Sequence, residues 1–209
     1  MSDSYHDGCF LCVAVRGVST LDWIDRPLLL DPRAGVVLAG AGALVPGYAL
    51  VAPRAHVGSL AEAVTDRRFL RFLDDAVGFV EERFGEITFW EHGGVLAEVP
   101  SSACVEHAHL HVAAGSFEFV TGAPVRARGR LLIDTVRQGR GTAPYLLHGG
   151  TGRDCVLTDD PAVPQYYRRQ LAHAVGKPDH WDYAAVRGEE HAEATMRLLL
   201  GNFTGAARR

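Results

Sequence analysis

Apolar and polar positions change their period several times along the chain, and each change marks an element. Leu28-Leu29-Leu30 is a short apolar run ending at Asp31-Pro32-Arg33-Ala34-Gly35, a turn composition. Val36-Val37-Leu38-Ala39 is a second run, and Pro46-Gly47 turns the chain into a third, Tyr48-Ala49-Leu50-Val51. This pattern predicts antiparallel strands joined by tight turns. The period then lengthens. Ser59-Leu60-Ala61-Glu62 has capping-box spacing, and Thr65-Asp66 restarts a helix on which Leu70, Leu73, Val77, Val80 and Phe84 recur every three or four residues until Gly85. A long amphipathic helix over 66–84 follows, with Phe69, Phe72 and Phe79 as core residues. Ile87-Thr88-Phe89-Trp90 then reads as a strand that runs through Glu91-His92 into Gly93-Gly94, with a loop over 95–104.

Strict alternation returns at Val105-Glu106-His107-Ala108-His109-Leu110-His111-Val112. On a strand, residues i, i+2 and i+4 share a face, so His107, His109 and His111 form a row with neighbours roughly 7 Å apart. Ala108, Leu110 and Val112 supply the packed back face. Neutral imidazoles in such a row suit metal binding, nucleophilic catalysis, or both. The plainer alternative is a His-rich polar strand face.

Beyond Ser116 the character changes. Arg126, Arg128 and Arg130 alternate on what reads as a solvated strand face, followed by Leu131-Leu132-Ile133. Tyr145-Leu146-Leu147-His148 and the glycine-rich stretch 149–153 suggest a hairpin, without the Lys-Ser/Thr of a phosphate loop. Pro164 introduces a helix at Gln165-Tyr166-Tyr167-Arg168-Arg169, stopped by Gly176 and Pro178, and a last amphipathic helix runs from Glu189 to Leu200. Arg168 and Arg169 fit either a phosphate contact or an ordinary solvated helix face. The expected organisation is a unit over 1–116 that carries the histidine row, with a hairpin-and-helix extension over 117–209 packed on it, or one continuous domain.

The 209 residues are 47% hydrophobic and 22% charged, with a formal net charge of −4. That mix argues against a nucleic-acid or anionic-membrane surface. No apolar run is long enough for a signal peptide or a membrane span. Cys9, Cys12, Cys104 and Cys155 make a poor disulfide framework, so a reduced, cytoplasmic protein is expected. Cys9-Phe10-Leu11-Cys12 is half of a zinc site, a redox pair, or two uninvolved thiols. His6 is a nearby additional ligand candidate.

His107-Ala108-His109-Leu110-His111-Val112-Ala113 resembles the signature of the histidine-triad (HIT) superfamily. Cys9-Phe10-Leu11-Cys12 resembles the half-site of its zinc-binding members, and the segment from Pro46 to His56 resembles their Pro-Gly-His-x-Leu-Val-x-Pro-x-x-His hairpin. Together with the long helix, the likeness covers residues 9–114. A weaker likeness to a bacterial subgroup with a C-terminal extension reaches to about residue 185, on Glu91-His92-Gly93 and Gln165-Tyr166-Tyr167-Arg168-Arg169.

The resemblance implies an α+β fold around an antiparallel sheet, often paired into a homodimer, and a structural zinc ion on Cys9, Cys12, His56 and His107. It implies that His109 attacks the α-phosphorus of a nucleotide or dinucleotide substrate, forming a nucleotidyl-histidine, with His111 beside the phosphate oxygens. The implied activity is a nucleotide hydrolase; a nucleotidyltransferase or phosphorylase shares the intermediate, and a non-catalytic nucleotide-binding protein is the third reading. Ser102-Ala103-Cys104 stands where hydrolytic members often carry Gly-Gln-Ser/Thr. Ser101, Ser102, Glu91, His92 and Arg168 are therefore the substrate-binding candidates. Tyr48 replaces a common His and is expected to be neutral.

Overall fold

The computed structural model describes residues 8–17, 21–94, 106–141, 144–161 and 163–200. Among these, the chain is an α+β fold with an eight-stranded antiparallel sheet and six α-helices. His6, Ser101, Ser102 and Cys104 lie outside the described residues.

The first three strands are those of the apolar runs: β1 (Pro27–Asp31), β2 (Gly35–Leu38) and β3 (Ala49–Pro53). β4 (Ile87–Gly93) and β5 (Leu110–Ala114) follow. The C-terminal part adds β6 (Val125–Gly129), β7 (Tyr145–Gly150) and β8 (Cys155–Asp159). The spatial order is β1-β2-β3-β5-β4-β7-β8-β6. One sheet thus crosses the 116/117 boundary through the β4–β7 ladder, which pairs Trp90 with His148 and Glu91 with Leu147.

Gly47 makes the β3 approach tight. Its φ of 81° is left-handed, and a Cβ there would fall 2.6 Å from Ala114 Cβ. The helix restart at Asp66 is as the pattern predicts. The Asp66 side chain accepts from Arg68 N at 2.8 Å and caps α3 (Arg67–Phe84), whose Phe69, Leu73, Ala76 and Val80 are buried. α3 packs across β2, β3, β4 and β5. Ser59 starts only a one-turn α2 (Leu60–Ala63), with its hydroxyl on Glu62 Oε1 and not on a backbone N–H.

Three features differ from the expectation. Cys9 and Cys12 sit at the start of a short helix, α1 (Phe10–Val15). Leu131-Leu132-Ile133, in the hairpin region by pattern, runs into helix α4 (Leu132–Arg137), and the hairpin proper is β7–β8. The histidine strand begins only at Leu110. The β3–β5 register, Leu50 opposite His111 and Val51 opposite Leu110, would bring Pro53 opposite Ala108. Pro53 has no N–H to give, and Ala108 N bonds Val57 O at 2.7 Å instead. The chain through His107 therefore leaves the ladder. Arg126, Arg128 and Arg130 are exposed as expected and pair with Asp159 and Asp154.

No helix among the described residues is long and apolar enough to cross a membrane.

Candidate functional site

The two environments of the site follow from that departure. His107 is buried and turns away from the other two histidines, toward α1. Its Nδ1 lies 3.5 Å from Cys9 Sγ and 3.4 Å from Cys12 Sγ, while His56 Nδ1 lies 3.2 Å from Cys12 Sγ. All four donor atoms lie within 4.8 Å of one another. A tetrahedral ion with bonds of about 2.3 Å to sulfur and about 2.1 Å to nitrogen has sulfur–nitrogen edges of roughly 3.5 Å. The donor set fits, and it could hold a metal ion. The tautomer fits as well. His107 Nε2–H donates to the Pro53 carbonyl at 2.8 Å, leaving the Nδ1 lone pair toward the sulfurs. Cys9 and Cys12 come from one helix start, His56 from the loop after β3, and His107 from the approach to β5.

His109 and His111 face a cavity of about 240 Å³ on the sheet side opposite α3. Pairing decides the neighbours: His111 lies opposite Leu50 on β3 and Trp90 on β4, so all three share that face with Tyr48 and His92. The Trp90 ring stacks on His111 at 5.0 Å between centroids and 6° between planes. α5 (Tyr166–Ala174) closes the other side with Tyr166, Tyr167 and Arg168.

Hydrogen bonds fix the tautomers of His109 and His111. His109 Nδ1–H donates to the His107 carbonyl at 2.8 Å, so the Nε2 lone pair of neutral His109 is left for chemistry. Arg168 Nη1 donates to the Tyr48 hydroxyl at 2.8 Å. The hydroxyl's only proton then goes to its other neighbour, His111 Nδ1, at 2.6 Å. His111 consequently carries its own proton on Nε2 and is a donor there. Burial keeps both imidazoles neutral: it holds His109 below the usual histidine range and His111 well below it, and the Arg168 charge pushes both the same way.

Arg168 is only 3% exposed, so the solvated-helix alternative does not hold for it. Its Nε donates to Gln165 Oε1 and to the Trp181 carbonyl, both at 2.9 Å, and its Nη2 to the Gly42 carbonyl at 2.9 Å. With the Tyr48 hydroxyl, every one of these acceptors is neutral. A buried cation held this way raises the positive potential of the cavity it lines. Arg169 instead lies 3.4 Å over the Trp181 ring and bonds the Pro164 carbonyl.

Of the substrate candidates, His92 lines the cavity, with Nε2 2.8 Å from Asp160 Oδ2. Glu91 does not. Strand alternation sends it to the opposite face from Trp90 and His92, where it is buried and accepts from Leu60 N and the Tyr145 hydroxyl, each at 2.6 Å. Burial pushes its carboxyl up to about 8, although both donors act the other way. Glu91 ties β4 to the start of α2 and to β7. His148, outside the cavity lining, bonds the Tyr167 hydroxyl at 2.7 Å and is pushed down to about 4 by burial, then by Arg153 and Arg128.

Sequence reading missed three participants: Tyr48, which it treats as neutral, Trp90 and Gln165. The alternation of Trp90 with His92 on a strand is the signal that could have found Trp90. Gln165 has φ 53° and ψ 39°, the one non-glycine residue with positive φ among those described. That conformation costs on the order of 1–3 kcal/mol and gathers at functional sites.

Searched against known proteins, the chain matches no family model and no curated protein.

Proposed function

We propose that this chain is a nucleotide hydrolase of the histidine-triad type, cleaving a phosphoanhydride or phosphoramidate at the α-phosphorus through a nucleotidyl-His109 intermediate. The observation that carries this reading is the opposed pair of tautomers, His109 with a free Nε2 lone pair and His111 with an Nε2 proton, on one cavity. A nucleophile and a hydrogen-bond donor side by side are what phosphoryl substitution requires.

In the first step His109 Nε2 attacks phosphorus. An N–P bond forms, and the bond from phosphorus to the leaving group breaks with its electron pair going to that group. The charge that develops on the imidazole is stabilised by the His107 carbonyl on Nδ1–H. His111 Nε2–H donates to a non-bridging oxygen, and the potential of Arg168 favours the anion. In the second step water attacks phosphorus, the N–P bond breaks back to a lone pair on Nε2, and a nucleoside monophosphate and one proton leave. Tyr166 and Tyr183, the partly exposed tyrosines of the lining, supply faces for a base.

Zinc is the ion proposed for Cys9, Cys12, His56 and His107, since two thiolates and two imidazoles make a closed tetrahedral set. When bound it supplies a structural cross-link between α1, β3 and the approach to β5. The His107 carbonyl that orients His109 belongs to one of its ligands.

The test is incubation of purified protein with adenine and guanine nucleotide anhydrides and phosphoramidates, followed by intact-mass spectrometry. A nucleotidyl adduct and turnover are expected for wild type, and neither for His109→Ala. A wild-type protein that turns over none of the panel and forms no adduct would overturn the reading.

A further inference from the structure

Two buried polar atoms on the walls of the cavity lack a hydrogen-bond partner among the described residues: His92 Nδ1 and Gln165 Nε2. Gln165 is the more constrained. Its side chain belongs to a residue only 7% exposed, and its backbone is held in the left-handed region at the start of α5. The orientation of its amide is set by chemistry. Arg168 Nε can only donate, so the atom it meets at 2.9 Å is Oε1, and the amino group is the one turned elsewhere. A buried amide N–H without an acceptor is unfavourable, and a strained backbone adds to that. Both are accounted for if the cavity's ligand brings the acceptor.

We infer that Gln165 Nε2 is a ligand-binding donor, which receives an acceptor oxygen of the bound nucleotide, on its phosphate or its ribose. The inference rests on the nucleotide reading above. Gln165 and His111 then stand at the two ends of one bonded row, Gln165–Arg168–Tyr48–His111, and both residues line the cavity. Rigidity follows from the row, because Arg168 fixes Gln165 through Oε1 and fixes His111 through the Tyr48 hydroxyl. The residue belongs to the part of the chain after 117, so that part contributes directly to the site.

The test is the affinity of the full chain for AMP and for adenosine by calorimetry, in wild type, Gln165→Glu and Gln165→Met. Glu keeps an oxygen for Arg168 Nε and removes the donor. Met keeps length and neutrality, and leaves Arg168 Nε its bond to the Trp181 carbonyl. Thermal melting and metal content check that each variant is folded. Losing one donor to an oxygen is expected to weaken AMP binding by about tenfold in both variants. A loss of threefold or more in both supports the inference; a smaller loss in either folded variant overturns it. An equal loss for adenosine places the contact on the nucleoside, and a loss confined to AMP places it on the phosphate. If wild type binds neither probe, the nucleotide reading itself fails and this inference with it; wild-type binding with unaffected variants defeats the inference alone.

Discussion

The Tyr48 hydroxyl stands 2.6 Å from His111 Nδ1 and 2.8 Å from Arg168 Nη1, and this one oxygen decides which nitrogen of His111 carries a proton. A guanidinium gives and never accepts, so the phenol proton has one destination. The tautomer of a site histidine on β5 is thereby set by an arginine on α5.

Tyr48→Phe removes that oxygen and little volume. It leaves His111 Nδ1 and Arg168 Nη1 each short of a partner in a buried setting, which costs about 1–3 kcal/mol of stability. The proposed nucleotide hydrolysis is expected to slow on the order of 10- to 100-fold, mostly in kcat, because His111 no longer holds Nε2–H in place. Nitrogen-15 shifts of His111 check the cause directly: wild type shows the Nε2–H form, and the variant shows a mixture. An unchanged tautomer in the variant would remove the relay from the account.

Arg168→Lys keeps a positive charge but not the fork that meets Tyr48, Gly42, Gln165 and Trp181 at once. A loss of about 2–4 kcal/mol is expected from buried acceptors left unpaired, read as a lowered melting temperature. Activity falls with it. Arg169→Lys, on the neighbouring residue that stacks on Trp181, is expected to cost less than about 1 kcal/mol.

Elemental analysis of protein purified without chelator is expected to find one zinc per chain, and Cys12→Ser to lose it. Because the His107 carbonyl holds His109, loss of the proposed ion is expected to lower the proposed activity as well as stability, the latter by several kcal/mol. Wild type with well under one zinc per chain, and melting unchanged by a strong chelator, would remove the metal assignment while leaving the cavity chemistry intact.

Glu91 makes stability depend on pH. Burial raises its folded pKa from the usual glutamate value of 4.5 to about 8. Between those values the folded state binds more protons than the unfolded one, so its contribution is complete below pH 4.5 and is lost as pH rises through 8. The slope is at most about 1.4 kcal/mol per pH unit over that window. Denaturant titrations at pH 6 and pH 9 should show wild type losing stability with rising pH, and Glu91→Gln losing distinctly less. Equal slopes would show that Glu91 is ionised throughout.

Much of the scaffold is legible along the chain. The early strands, the long helix with Asp66 at its start, and the exposed arginines of β6 all follow from local period and turn chemistry. Cys9, Cys12, His56 and His107 are singled out as a set only by the family resemblance, and the geometry brings those four residues together where they could hold a metal ion. Glu91 shows where neighbourhood in sequence misleads: it adjoins His92, but one position along a strand is the other side of the sheet. The apolar triplet at 131–133 was too short for its period to separate a helix from a strand.

What the sequence determined by itself was an inventory: three alternating histidines, two thiols three apart, and the periods that make strands and helices. Those are local properties, set by backbone geometry over a few residues. Only the tertiary structure decided their division of labour. Pro53 ends the ladder and lets His107 turn to the thiols, while register keeps His111 against Trp90. Arg168 reaches Tyr48 across 120 positions of chain, and no periodicity extends that far. Such contacts are fixed by which faces pack together, because a buried cation must find its acceptors wherever the fold brings them.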